Sequence, residues 1–152
     1  GLLDAVIEQA REYAGHISCF CDEKGNILRR FPKPEVFCLP LDAIQPSQFY
    51  ADELKASAVA SFIKSEKDII IPLTRRKERF ISLDGHTRLY VAVRMGFEKV
   101  YGFISPADGY IYDFASLAAA RGILSPRDIA PLPHEEYCRL WLGFCREYFE
   151  TH

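Results

Sequence analysis

Apolar residues in the opening segment fall at Leu3, Val6, Ile7, Ala10 and Tyr13, the spacing of one helix face, and Gly15 is its expected stop. Two strand-like runs follow, His16–Asp22 and Ile27–Phe31, joined by the turn-forming Lys24-Gly25-Asn26. Pro32-Lys33-Pro34 then punctuates the chain. A strand is predicted from Glu35 to Leu41, then the turn-rich Gln45-Pro46-Ser47-Gln48. A helix is predicted from about Ala51 to Lys64, with Leu54, Ala58, Val59, Phe62 and Ile63 as its buried stripe. Ile69–Leu73 reads as a short apolar strand buried on both faces, Thr74–Arg79 as a polar turn, and Phe80–Leu83 as a further strand. Leu89–Met95 reads as a helix capped by Gly96, and Lys99–Ile104 as a strand. The remainder is helical: Tyr110–Ala120, a capped start at Ser125-Pro126-Arg127-Asp128, and a last helix from about His134 to Phe149.

Strands and helices alternate over short distances, which predicts an α/β (α+β) fold, a mixed sheet with flanking helices. Three regions follow: a helix-and-hairpin extension over 1–34, a core over 35–104, and a helical extension over 105–152 packed on that core. No internal repeat is read from the sequence.

With 152 residues, 49% of them apolar, the chain can bury one sizeable core. A formal charge of −2 argues against a protein whose main work is coating nucleic acid or an acidic membrane. No apolar run approaches the roughly 18–20 residues that span a bilayer. No basic stretch followed by a long apolar segment opens the chain, so a cytoplasmic protein without membrane association is expected. Five cysteines, an odd number, argue against a disulfide framework. His134, Cys138 and Cys145 share a helix, but no C-x-x-C pair accompanies them, so no metal site is predicted; Cys138 and Cys145 read as small apolar fillers.

The segment with most chemical content is Ile81-Ser82-Leu83-Asp84-Gly85-His86-Thr87-Arg88-Leu89, a strand entering a glycine turn and then a helix. That geometry gathers backbone N–H groups and the positive end of a helix at one point. Gly85 permits close approach, Thr87 offers a hydroxyl, and Arg88 offers a planar fork for phosphate or carboxylate. Asp84 could hold a metal ion or orient His86, and His86 could move a proton. The plainer alternative is that Asp84 caps the helix and Arg88 pairs with a surface carboxylate. Between Pro72 and Lys99, seven Lys or Arg stand against three Asp or Glu. This excess either steers phosphate toward the turn or, the favoured reading, keeps a hairpin soluble. Tyr137, Leu140, Trp141, Phe144 and Tyr148 lie at helical spacing, a stripe that packs on the core or meets a partner.

Residues from about Val36 to Ile104 resemble the ParB/sulfiredoxin superfamily on two landmarks in order. Leu39-Pro40-Leu41-Asp42-Ala43-Ile44-Gln45-Pro46 is similar to its opening strand and turn. Asp84-Gly85-His86-Thr87-Arg88-Leu89, with Gly96-Phe97-Glu98-Lys99-Val100 beyond it, is similar to its phosphate-binding helix and next strand. The nearest motif is that of the free-serine kinases, from which Thr87 departs by replacing a second histidine. Sulfiredoxins carry their catalytic cysteine where His86 stands, so sulfinic-acid reduction is not implied. The partitioning proteins add a DNA-reading region that the 48 residues after Ile104 do not provide, so nucleic acid is not the favoured partner.

The resemblance implies a nucleotide or small phosphorylated ligand, ATP or another nucleotide with or without magnesium. Gly85, His86, Thr87 and Arg88 would hold it, with Asp84, His86 and Glu53 as the catalytic candidates. Gln48 stands where those kinases place a glutamate base, and Glu53 or Asp52 would have to substitute. The activity implied is small-molecule phosphotransfer or nucleotide hydrolysis; the alternative is a non-catalytic nucleic-acid- or protein-binding module with a vestigial phosphate site.

Overall fold

The computed structural model describes residue 16 and residues 19–30 and 34–152, so the helix expected before Gly15 lies outside the described residues. An antiparallel hairpin comes first, β1 (Cys19–Cys21) with β2 (Ile27–Arg30). Its turn closes on Asp22, whose carboxylate accepts from the N–H groups of Lys24 and Asn26 at 2.9 and 2.8 Å.

The main sheet has five strands in the order β3 (Phe37–Pro40), β8 (Lys99–Ile104), β6 (Ile70–Arg76), β7 (Arg79–Ser82) and β4 (Ile44–Gln45). β3 runs antiparallel to β8, β8 parallel to β6, β6 antiparallel to β7, and β7 parallel to β4. The fold is therefore mixed α+β, as expected. β6 is central and alternates: Ile71 and Leu73 are fully buried while Ile70, Pro72 and Thr74 are half-buried. It also runs on to Arg76, so the expected six-residue polar turn shrinks to Lys77-Glu78, with Lys77 at φ 58°.

A second sheet pairs β5 (Tyr50–Asp52) in parallel with β9 (Ala130–Leu132). Neither strand has a periodicity signal, because three residues are too few to show one. Around it lies an aromatic core: Phe49, Phe114 and Trp141 are buried, with Phe144 and Tyr148 packed against them. Phe114, on α3 (Gly109–Ala120), meets the rings of Tyr110, Trp141, Phe144, Tyr148 and Phe149 at centroid separations of 4.9–6.0 Å. The aromatic stripe of the last helix is thus mostly spent on the chain's own core. That helix comprises α4 (His134–Tyr137), a π-helical turn (Cys138–Leu142) and α5 (Gly143–Thr151).

The expected stripe of α1 (Glu53–Ala60) is overturned. Leu54 is 63% exposed and Phe62 77%, whereas Ala56 is buried. The helix is only about two turns long, so Phe62 and Ile63 lie beyond it and helical spacing does not govern where they point.

A local motif occurs twice. Ser65 and Asp68 form a capping box on a 3-10 turn leading toward β6, and Ser125 and Asp128 form another leading into β9. In each, the aspartate accepts from two upstream N–H groups, those of Lys64 and Ser65 and those of Leu124 and Ser125. The capped start expected at Ser125 is that of a single 3-10 turn, Pro126–Asp128. Among the described residues no helix is long and apolar enough to cross a membrane.

Candidate functional site

The chain leaves β7 at Ser82 and must reverse into α2 (His86–Arg94) within three residues. Gly85 does this in the left-handed region, at φ 78°. A Cβ there would stand 2.6 Å from Ile71 Cδ1 and 2.8 Å from Arg88 Nη2, so the position excludes a side chain on space as well as on conformation. The N–H groups of His86, Thr87 and Arg88 have no intrahelical partner, and no side chain caps Gly85. Asp84 instead accepts from Gly85 N–H at 2.8 Å. It is a local brace on the turn and stays exposed.

His86 faces inward. It is 4% exposed, and its Nε2 accepts the Ser47 backbone N–H at 3.0 Å and lies 2.8 Å from Ser82 Oγ. Accepting the Ser47 N–H requires an unprotonated Nε2, so the proton of the neutral ring sits on Nδ1. Burial pushes the pKa down to about 4; Asp84 opposes that shift and Arg88 adds to it. A neutral imidazole held on Ser47 is a brace between the β4–β5 loop and α2.

Arg88 folds back under the turn, where Nη1 donates to the Ile70 carbonyl at 2.6 Å. Burial lowers its pKa and Asp84 opposes the shift. One edge of the guanidinium is therefore committed to β6.

Asp84, Gly85, His86, Thr87 and Arg88 nevertheless line one cavity, of about 380 Å³. The cavity is also lined by Lys55 and Tyr137, neither of them expected at this site from the sequence, and by Val59, Phe62 and Ile63. Gln48 joins them, donating to Tyr137 Oη at 3.1 Å and to the Tyr50 carbonyl at 2.7 Å. Burial, with the charge of Asp52 acting in the same direction and the Gln48 hydrogen bond against it, pushes Tyr137 up to about 12. Its hydroxyl keeps its proton at neutral pH and, having accepted from Gln48, is free to donate. The Lys55 ammonium lies over the Tyr137 ring, 5.4 Å from its centroid. The cavity thus joins a helix N-terminus, two cations (Lys55 and the partly engaged Arg88) and a phenol donor to an apolar rim.

Glu53 does not belong to it. Glu53 lines a separate groove with Tyr90, Arg94 and Met95. Asp52, the other substitute, is fully buried as the N-cap of α1 and is engaged by Leu54 N–H and His134. A larger hollow, of about 710 Å³, lies between the basic β6–β7 hairpin and α3. Its Arg79 is spent on structure, donating to the Asp42 and Leu124 carbonyls at 3.1 and 2.6 Å. Among the described residues no group of three or more His, Cys, Asp or Glu could hold a metal ion.

No family model matches the chain, and no curated protein matches it. Among solved structures the chain is similar to protein Atu1540 from Agrobacterium tumefaciens, at 18% identity and a TM-score of 0.40. That match covers 62% of this chain and 52% of the other, so the chain spans about half the length of that protein.

Proposed function

We propose that the chain is a ParB/sulfiredoxin-like domain that binds a nucleotide or another phosphate-bearing ligand in the cavity under the Gly85–Arg88 turn. The observation that carries this reading is that the α2 N-terminus, Lys55 and Tyr137 line one cavity. Unpaired N–H groups and the helix dipole favour an anion, and Lys55 adds a full positive charge to the same cavity. The apolar rim of Val59, Phe62 and Ile63 suits a ligand with an apolar or aromatic body behind its phosphate, such as a nucleobase. Phe62, at 77% exposure, is the natural stacking surface.

Among the cavity-lining residues Asp84 is the single carboxylate. With the ligand's phosphates it fits a magnesium ion that enters with the nucleotide, since such ions keep several waters and take few protein ligands. The ion would supply charge neutralisation.

Binding without phosphotransfer is the favoured form of this reading, because the Nε2 lone pair of His86 is taken up by the Ser47 N–H and Glu53 lines a separate groove. Calorimetric titration with ATP, ADP and inorganic phosphate, each with and without magnesium, tests it. Nucleotide binding is expected to weaken about 5- to 10-fold in Lys55→Met, the loss of roughly 1 kcal/mol for one partly solvated charge contact. Absence of heat with every nucleotide would overturn the proposal. Steady release of ADP from ATP that is lost in Asp84→Asn would restore the phosphotransferase or hydrolase reading.

A further inference from the structure

A second constellation lies outside that cavity, where β5 ends and the last helix begins. The parallel register sets Asp52 beside Leu132, and Pro133 then turns the chain so that His134 opens α4. His134 Nδ1 lies 2.6 Å from Asp52 Oδ2, and His134 Nε2 lies 3.6 Å from the Sγ of Cys138, one helical turn on. The Asp52 side chain is 0% exposed, while that of His134 is 50% exposed. Burial alone would raise the Asp52 pKa, but the His134 hydrogen bond and the Leu54 N–H outweigh it and hold the carboxyl below its usual range. An ionised carboxylate only accepts, so Nδ1 carries a proton, and in the neutral ring it is the Nε2 lone pair that faces the thiol. The order thiol, imidazole, buried carboxylate is that of a nucleophile, its base and the group that orients the base.

We propose that Cys138 is a general-base-assisted thiol nucleophile, served by His134 and positioned by Asp52, that takes an acyl or alkyl group from a small activated electrophile. Its sequence reading as an apolar filler does not account for the base turned toward it. An Asp52–His134 contact that merely fastened the last helix would explain the 2.6 Å distance and, through the rigid ring, where Nε2 points, but it calls for no thiol at that place. The π-helical turn that begins at Cys138 is a second local feature; such insertions cluster at functional positions.

The steps balance without a further reactant. With 4-nitrophenyl acetate, Sγ bonds to the carbonyl carbon, the carbon–oxygen bond breaks, and 4-nitrophenolate leaves with the bonding pair. With iodoacetamide, Sγ bonds to the methylene carbon and iodide leaves. In both, the thiol proton passes to His134 Nε2 and then to water.

The chain carries its own comparison, because Cys38 is an exposed cysteine on β3. Timed alkylation of the native protein by iodoacetamide, read by peptide mass spectrometry, is expected to label Cys138 at least about 10-fold faster than Cys38, a modest share of general-base assistance. His134→Asn keeps a donor at the Nδ1 position for Asp52 but has no Nε2. It is expected to slow Cys138 labelling about 10-fold, with unchanged thermal stability and unchanged Cys38 labelling. One equivalent of 4-nitrophenolate should be released rapidly, with the acetyl group on the Cys138 peptide. Equal rates at Cys138 and Cys38 in the unsubstituted protein would overturn the proposal whether or not the variant folds. A His134→Asn rate equal to that of the parent chain would overturn it as well.

Discussion

Replacing Gly85 by alanine separates two physical costs that the structure assigns to that turn. The first is conformational: an L-residue at φ 78° sits in the left-handed region, at a cost of about 1 kcal/mol. The second is steric. The new Cβ would stand 2.6 Å from Ile71 Cδ1, on a side chain that is 0% exposed, and 2.8 Å from Arg88 Nη2, on a guanidinium tied to the Ile70 carbonyl. Neither neighbour can swing aside freely, so overpacking adds about 2 kcal/mol. Gly96 is the control, since it shares φ 78° but has nothing within 4 Å of an added Cβ. Gly85→Ala should therefore cost about 3 kcal/mol and Gly96→Ala about 1. With a urea slope of about 2 kcal/mol/M, the midpoints fall by about 1.5 M and 0.5 M. Ile71→Val removes Cδ1, so in that background Gly85→Ala should cost about 1 kcal/mol less, a coupling expected only of groups in contact. Equal midpoint shifts for the two glycines, or strict additivity with Ile71→Val, would refute the close approach at the turn.

His86 makes stability depend on pH in a defined window. Its folded pKa, about 4, lies below the ordinary histidine value of 6.5, so the unfolded chain binds the extra proton between them. Stability should be fully present above pH 6.5, fall by about 3 kcal/mol on the way down to pH 4, and level off below it; urea melts across this range should flatten in His86→Asn. Phe114→Ala, which removes a 4%-exposed ring from contact with five others, should cost about 3–5 kcal/mol in the same assay.

Where hydrophobic spacing was long and regular, the sequence was informative. Lys99–Ile104 forms a strand with the expected bounds, and Gly96 ends α2 with Phe97 N–H bonding back to the Ala92 carbonyl. The glycine turn at Gly85 was legible because a strand, a glycine and a helix follow one another without room for another connection. The direction of His86 was not, because it depends on the Ser47 N–H, 39 residues away in sequence. Lys55 and Tyr137 were invisible as cavity residues for the same reason: the pairing of β5 with β9 brings their helices together, and both strands are too short to leave a pattern. Leu54 and Phe62 misled, since apolar residues around a two-turn helix fit a buried stripe as readily as an exposed one.

The central claim is that an anion sits at the α2 N-terminus, in the cavity that Lys55 also lines. Backbone amide shifts in a two-dimensional NMR titration with ADP and magnesium report this directly. The account expects saturable shifts at His86, Thr87 and Arg88, with Lys55 moving alongside and the titration weakened in Lys55→Met. Saturable shifts confined to Arg76, Lys77 and Arg79 on the β6–β7 hairpin, or no saturable shift at all, would contradict it.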